Sequence, residues 1–138
     1  MTGILLVTHA NLGCTLIETL EFILGKSQDN LSCVSINIQE NPDSLRKKIK
    51  KELLKVKSDN AGVIILTDMF GGTPSNLSYS FLEEGQVEVI SGVNLPILLK
   101  AVTVRSKMDL ETLSLSLVEH GKKSISLASG ILKGTKRT

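Results

Sequence analysis

Two short apolar runs constrain the fold of this chain more than any other feature. Residues 3–9 and 63–68 consist mainly of branched apolar residues, and each run ends in one ionisable residue, His9 or Asp68. Runs of this length, bounded by glycine or polar turns, are typical of strands buried on both faces of a parallel sheet. If the two strands pair in parallel, His9 and Asp68 meet at the carboxyl edge of the sheet, where open α/β folds place their ligands.

Helical and strand patterns alternate along the remainder of the chain. Apolar residues at helical spacing predict a helix over 12–24 that ends at Gly25, and a second helix with Asn41 as its N-cap. Thr73 as N-cap, followed by proline, predicts a third helix that runs through Phe81. Strands that alternate with helices in this way indicate a parallel sheet with right-handed crossovers.

This alternation predicts one doubly wound α/β domain over residues 1–130, with helices on both faces of the sheet. Residues 34–38 and 87–90 supply two more strands. Serines that alternate with apolar residues at 124–127 predict a short fifth strand. Residues 131–138 are expected to form a basic tail.

Composition excludes several classes of function. Of the 138 residues 22% are charged, the formal net charge is +2, and three Phe and one Tyr supply little surface for stacking on nucleic-acid bases. No apolar run approaches the roughly 18 residues of a membrane span, and the first run is too short for a signal peptide. We therefore expect a cytoplasmic protein that is not embedded in a membrane and binds no nucleic acid.

The two cysteines carry no signature of a bound metal or a redox motif. Cys14 and Cys33 form no CxxC pair and have no histidine or cysteine neighbours at metal-ligand spacing. We expect reduced thiols that are buried as small apolar residues, in keeping with a reducing compartment. The sequence indicates no metal site and no cofactor.

His9 is the best-placed nucleophile in the sequence. A neutral imidazole attacks through one ring nitrogen, and a carboxylate that accepts a hydrogen bond from the other ring nitrogen fixes the required tautomer. Asp68 is the candidate for that orienting group.

Phe70, Gly71, Gly72 and Thr73 form a turn directly after Asp68. The glycines can expose backbone N–H groups at the start of the predicted third helix, and such groups favour an anion such as a phosphoryl group. Phosphoryl transfer requires mainly in-line positioning and charge stabilisation, so a small site of this kind is sufficient for it.

Simpler interpretations of the same residues stay open at this point. A histidine after a strand is often structural, and glycines before Thr-Pro can form only a tight turn and a cap. His120, at the end of the last predicted helix, is explained by interaction with the helix dipole. A histidine phosphatase is disfavoured because that chemistry expects an arginine just before the histidine, where this chain has Thr8.

Three segments have a distinctive order and spacing. They read Leu-Val-Thr-His at 6–9, Thr-Asp-Met-Phe-Gly-Gly-Thr-Pro-Ser-Asn at 67–76 and Val-Ile-Ser-Gly-Val-Asn-Leu-Pro at 89–96. In combination they closely resemble the mannose-type enzyme IIA component of the bacterial phosphoenolpyruvate-dependent phosphotransferase system. The resemblance covers nearly the whole chain.

The resemblance implies a flavodoxin-like parallel sheet of strand order 2-1-3-4, with a fifth strand often exchanged across a homodimer. It implies that His9 is transiently phosphorylated on Nε2, that Asp68 orients its ring and that Thr73 faces the phosphoryl group. The phosphoryl group would come from the histidine-containing phosphocarrier protein and pass to a separate enzyme IIB component for sugar uptake. Through IIB the protein would associate with a membrane permease.

Ala10, residues 39–41 and Ser75 depart from the family pattern, which usually has glycine, Pro-Gly-Glu and a larger apolar residue at these places. Two other functions remain compatible with the sequence. One is a regulatory binding module whose phosphorylation state on His9 controls a partner. The other is a phosphoryl-transfer subunit for a dihydroxyacetone kinase, from which Gly-Gly-Thr-Pro at 71–74 points away.

Overall fold

Four parallel strands form the centre of the molecule. The computed structural model describes residues 1–133. Its strands are β1 (Gly3–His9), β2 (Leu31–Ile36), β3 (Val63–Thr67) and β4 (Val87–Ser91), paired in the order β2-β1-β3-β4. The predicted parallel sheet of order 2-1-3-4 is therefore confirmed. β1 pairs directly with β3, and Val7 lies opposite Thr67, so the residues that follow both positions reach the same edge.

Helices connect the strands and complete the described part of the chain. They are α1 (Leu12–Leu24), α2 (Pro42–Val56), α3 (Thr73–Tyr79), α4 (Leu95–Val104), α5 (Leu110–Lys123) and α6 (Ala128–Leu132). As predicted, Gly25 ends α1 in the left-handed conformation, and the Asn41 side chain caps α2 by accepting a hydrogen bond from the backbone N–H of Asp43. Across residues 1–133, every helix is too short or too polar to cross a membrane.

The sheet is buried on both faces, as the continuous apolar strands predicted. On β1, Leu5 and Val7 belong to a core formed with α2 and α3, whereas Ile4 and Leu6 belong to a second core formed with α1, α4 and α5. None of these four side chains has exposed surface. Burial of each stabilises the fold by about 1.5–3 kcal/mol, so β1 is anchored from both sides.

The third helix differs from its prediction at both ends. Gly72 rather than Thr73 is the N-cap, and Thr73 is the first helical residue. α3 ends at Tyr79, because the N–H of Phe81 bonds to Ser78 three residues back instead of four, which tightens the chain out of the α-helix. The helix start is therefore set by the glycine turn and not by a hydroxyl cap.

The predicted fifth strand is not formed in the described chain. Residues 124–127 have no regular secondary structure and lead into α6, and Ile125 and Leu127 are 81% and 76% exposed. A strand needs a neighbour to accept its backbone hydrogen bonds, and alternating apolar residues do not supply one. α6 crosses the predicted boundary between domain and tail, and residues 134–138 of the predicted basic tail lie outside the described residues.

The prediction of reduced thiols is wrong for this structure. Cys14 and Cys33 form a disulfide with their Cα atoms 5.4 Å apart. Cys14 lies in the first turn of α1 and Cys33 lies in β2, and these two elements pack directly on each other. Their sequence separation of 19 matches no metal or redox motif, so only the fold reveals that the two side chains meet.

Candidate active site

His9 and Asp68 are in contact at the carboxyl edge of the sheet, where the parallel pairing predicted them. His9 is the last residue of β1, and Asp68 directly follows β3. Oδ2 of Asp68 lies 2.8 Å from Nδ1 of His9 and accepts a second hydrogen bond from the His9 backbone N–H at 2.9 Å. Because the carboxylate occupies Nδ1, Nε2 is the ring nitrogen left available for chemistry.

The Asp68 carboxylate is held in its charged form. Its side chain is only 11% exposed, and burial by itself would raise its pKa. The hydrogen bonds from the backbone and ring of His9, with the attraction of a charged imidazole, outweigh burial and lower the pKa of Asp68 below its ordinary 3.8. Asp68 is therefore an acceptor at neutral pH, which favours the tautomer with the proton on Nδ1.

The glycine turn after Asp68 lies directly against the imidazole. A Cβ atom on Gly72 would lie 2.9 Å from Cε1 and 3.4 Å from Nε2 of His9. Gly71 has a φ of 85°, in the left-handed region that residues with a side chain rarely adopt. Because Gly72 has no side chain, the backbone of the turn can lie close to Nε2 of His9. The left-handed conformation of Gly71 directs the chain into this position.

Thr73 and Phe70 are exposed members of the same turn. Thr73 begins α3, whose first backbone N–H groups have no acceptor within the helix. Phe70 is 79% exposed, and its ring centroid lies 6.4 Å from that of Tyr79. The turn therefore presents a hydroxyl group and an aromatic ring to solvent.

A cleft of about 400 Å³ opens beside His9. It is lined by His9, Ala10, Asn11, Ser35, Ile36, Asn37 and Ile38. Ala10 has a φ of 49°, a left-handed conformation that costs a residue with a Cβ about 1–2 kcal/mol. This is the position where the family pattern has glycine, and the backbone conformation explains why glycine suits it.

One wall of this cleft comes from residues that the sequence did not single out. Ser35 donates a hydrogen bond to Oδ1 of Asn11 at 3.0 Å, and Ile38 exposes its side chain beyond the end of β2. These residues reach the site because Ile36 of β2 lies opposite His9 in the sheet. The only indication of these wall residues before the structure was known is the position of β2 beside β1, which brings the end of β2 next to His9.

Residues 3–118 match the profile of a family described as "PTS system fructose IIA component", the mannose-type EIIA family of the phosphotransferase system. The chain belongs to this family. Members of the mannose-type EIIA family are components of a phosphotransferase system, so the general class of the protein is a transferase component.

Individual EIIA relatives agree with this assignment. The chain is 31% identical over 137 residues to the PTS system fructose-specific EIIA component of Bacillus subtilis (strain 168), which covers 99% of this chain and 92% of the relative. It is 33% identical over 104 residues to the mannose-specific EIIAB component of Escherichia coli (strain K12), which covers 75% of this chain but 32% of that longer protein. A solved EIIA structure from Streptococcus agalactiae has a TM-score of 0.82 and 26% identity, and covers 94% of this chain and 98% of its own.

Proposed function

We propose that this EIIA component is a phosphocarrier that accepts a phosphoryl group on Nε2 of His9 and passes it on for sugar uptake. The observation that carries the proposal is the 2.8 Å contact between Oδ2 of Asp68 and Nδ1 of His9. That contact favours a neutral ring with its proton on Nδ1 and a lone pair on Nε2. The names of the relatives, which are fructose- and mannose-specific PTS components, support the same class of role.

In the transfer step, the lone pair on Nε2 of His9 attacks the phosphorus of a phosphohistidine on the donor. The bond between phosphorus and the donor nitrogen breaks as the bond to Nε2 forms, and its electron pair returns to the donor imidazole. The phosphorylated His9 ring keeps its proton on Nδ1 and is positively charged, so the adjacent Asp68 carboxylate stabilises it. Transfer to the acceptor runs the same step in the opposite direction.

The turn from Phe70 to Thr73 supplies the surroundings of the phosphoryl group. The missing side chain at Gly72 leaves room beside Nε2, and backbone N–H groups with the Thr73 hydroxyl are suited to donate to phosphoryl oxygens. Phosphoryl transfer depends mainly on positioning and on charge stabilisation, and the turn is suited to both.

The proposed donor is the histidine-containing phosphocarrier protein, and the proposed acceptor is a separate enzyme IIB component. The mannose-specific EIIAB relative supports an acceptor of this kind, because its name joins an A and a B component in one protein. Exposed apolar side chains near His9 offer a surface that a partner can cover. They are Leu12, Ile38, Met69 and Phe70.

A homodimer belongs to the same proposal. β4 pairs with β3 and lies at the edge of the sheet, and the exposed Ile125 and Leu127 follow α5 in a segment without regular structure. Exchange of this segment between two copies would cover both the strand edge and the apolar side chains. Light scattering after size-exclusion chromatography tests it. We expect a dimer, and a monomer when both residues are changed to serine.

Phosphorylation in a reconstituted system tests the phosphocarrier proposal. With phosphoenolpyruvate, enzyme I and the donor protein, we expect the mass to rise by one acid-labile phosphoryl group. His120→Ala should be labelled normally and His9→Ala should not, since these are the two histidines of the chain. Unchanged mass in the wild type, or label retained in His9→Ala, would overturn the proposal.

A second stage of the same experiment tests the acceptor. Addition of an enzyme IIB component should remove the label from His9 and transfer it to IIB. If the label stays on His9 with every IIB tried, while the phosphorylated form captures a different protein, the regulatory alternative replaces the sugar relay.

A further inference from the structure

A cluster of four hydroxyl groups lies next to the turn that carries Asp68. Oγ1 of Thr67 lies 2.6 Å from Oγ of Ser75 and donates to Oγ of Ser91 at 2.8 Å. Oγ of Ser91 lies 3.0 Å from Oγ of Ser75 and 3.2 Å from the hydroxyl of Tyr79. Thr67 and Ser75 have no exposed surface, so their hydroxyl protons need acceptors inside the protein.

The Ser75 hydroxyl reaches out of this hydroxyl cluster to the backbone. It donates a hydrogen bond to the carbonyl oxygen of Met69. This direction is compatible with the rest of the cluster, because Thr67 gives its single proton to Ser91 and a carbonyl oxygen can only accept. The proton of Ser75 is then directed to Met69.

Met69 connects the hydroxyl cluster to the reactive histidine. Its carbonyl is held by Ser75, and its N–H donates to Oδ1 of Asp68 at 3.0 Å. Oδ2 of the same carboxylate receives the ring and the backbone N–H of His9, at 2.8 and 2.9 Å. A continuous series of hydrogen-bonded groups therefore runs from Ser75 through Met69 and Asp68 to Nδ1 of His9.

We infer that Ser75 is a positioning residue for His9, which acts through Met69 and Asp68. The inference deepens the proposed function and rests on it for its biological meaning, but the geometry it describes exists in the unphosphorylated protein. Without the Ser75 hydroxyl, the Met69 carbonyl loses its donor and the turn is free to relax. Asp68 then holds Nδ1 less firmly, and the His9 proton is shared between Nδ1 and Nε2.

Ser75→Ala tests this role, and Ser78→Ala is the matched control. Ser78 lies in the same helix, is equally buried and loses the same atom, but its hydroxyl donates to the Pro74 carbonyl within α3. The readout is the ¹⁵N spectrum of the His9 ring in unphosphorylated protein, which reports the tautomer directly. It requires no donor protein and is independent of whether the phosphocarrier proposal holds.

We expect a predominant Nδ1–H tautomer in the wild type and in Ser78→Ala, and a mixture of tautomers in Ser75→Ala. In the phosphorylation assay, Ser75→Ala should be slower by about ten- to a hundredfold, the size of effect that a misplaced reactive group produces. Ring signals of Ser75→Ala that match the wild type would overturn the inference.

A second variant covers the case in which Ser75→Ala does not fold. Ser75→Cys keeps a heavy atom at the γ position, so it leaves no cavity, and replaces the hydroxyl with a much weaker donor. We expect the same shift toward mixed tautomers in Ser75→Cys, and a wild-type ring spectrum there would overturn the inference equally.

Discussion

Gly72 lies so close to His9 that position 72 has no room for a side chain. A Cβ atom there would be 2.9 Å from Cε1 of the imidazole, whereas non-bonded carbon atoms prefer separations of about 3.5–4.0 Å. The ring can move away only by giving up its hydrogen bond to Asp68, which holds its Nδ1. The turn and the ring are therefore packed as one unit.

Gly72→Ala is expected to slow phosphorylation of His9 by about tenfold or more while the protein stays folded, because the added methyl group displaces the ring from Asp68. The initial rate of labelling and a thermal melt measure the two effects. Gly25→Ala is the control. Gly25 also departs from the regular helix, with a φ of 75°, but a Cβ there meets nothing within 4 Å. Equal labelling rates in Gly72→Ala and wild type would show that the close packing of Gly72 against His9 is not needed for phosphorylation.

Asp68→Asn is expected to keep the fold and to slow phosphoryl transfer by about a hundredfold or more. The amide has the size of the carboxylate, but it no longer favours the proton on Nδ1 or stabilises a positive ring. Rapid-quench labelling gives the rate. Asp43→Asn removes an exposed carboxylate from α2 and should leave the rate unchanged. A wild-type rate in Asp68→Asn would remove Asp68 from the mechanism.

The lowered pKa of Asp68 predicts how stability depends on pH. The folded state holds the charged carboxylate more strongly than the unfolded state, whose value is the ordinary 3.8. The stabilisation is therefore fully present above about pH 4, and it is lost as the pH falls through the folded pKa. Urea unfolding measured from about pH 6 to pH 2 tests this. The difference in unfolding free energy between wild type and Asp68→Asn should become smaller at the lowest pH values. A difference that stays constant with pH would contradict the prediction.

The strands could be predicted because each buried strand leaves a local pattern in the sequence, whereas their order was implied by the resemblance to the mannose-type EIIA family. The contact between His9 and Asp68 was predicted on the condition that the two buried runs pair in parallel, and the pairing of β1 with β3 meets that condition. The disulfide could not be predicted in the same way, because Cys14 and Cys33 meet only after α1 packs on β2.

Ser75 shows a second limit of sequence reasoning. In the sequence, Ser75 was only a departure from the larger apolar residue of the family pattern. Its inferred positioning role depends on hydroxyl groups that the fold brings together from two strands and a helix. The prediction of a fifth strand was wrong for a related reason. The alternating pattern at 124–127 is a local feature of the sequence, whereas a strand forms only where a neighbouring strand, distant in the sequence, accepts and donates its backbone hydrogen bonds.

Removal of the disulfide is expected to lower the free energy of unfolding by about 3 kcal/mol. The bond closes a loop with a sequence separation of 19, and the loss of loop entropy in the unfolded chain gives this magnitude. Urea unfolding with and without a phosphine reductant measures it. The double variant Cys14→Ser, Cys33→Ser should match the reduced wild type and should not respond to the reductant. No change in the reduced wild type would contradict the prediction.

Arg105→Met is expected to destabilise the fold by about 1–3 kcal/mol without altering the site. The buried guanidinium donates to the carbonyls of Asn30 at 3.0 Å and Asp29 at 2.6 Å, at the end of the sheet opposite His9. The methionine removes the donor of the Asp29 carbonyl, whereas the Asn30 carbonyl keeps its hydrogen bond from the backbone N–H of Ile4. Urea unfolding and the labelling rate test both parts. The exposed Lys107→Met should change stability by no more than about 0.5 kcal/mol. An Arg105→Met variant as stable as the wild type, or one in which His9 is labelled more slowly, would contradict the prediction.

The backbone N–H of His9 donates to the Asp68 side chain instead of a carbonyl on a neighbouring strand. Its hydrogen can exchange with solvent only when that bond opens, whereas the amides within β1 and β3 exchange with the opening of the sheet. The exchange rate of this one amide therefore reports how often the carboxylate releases the histidine. Because His9 is the proposed phosphoryl acceptor, the exchange of its own amide hydrogen measures how stably Asp68 holds the residue in position for the proposed transfer.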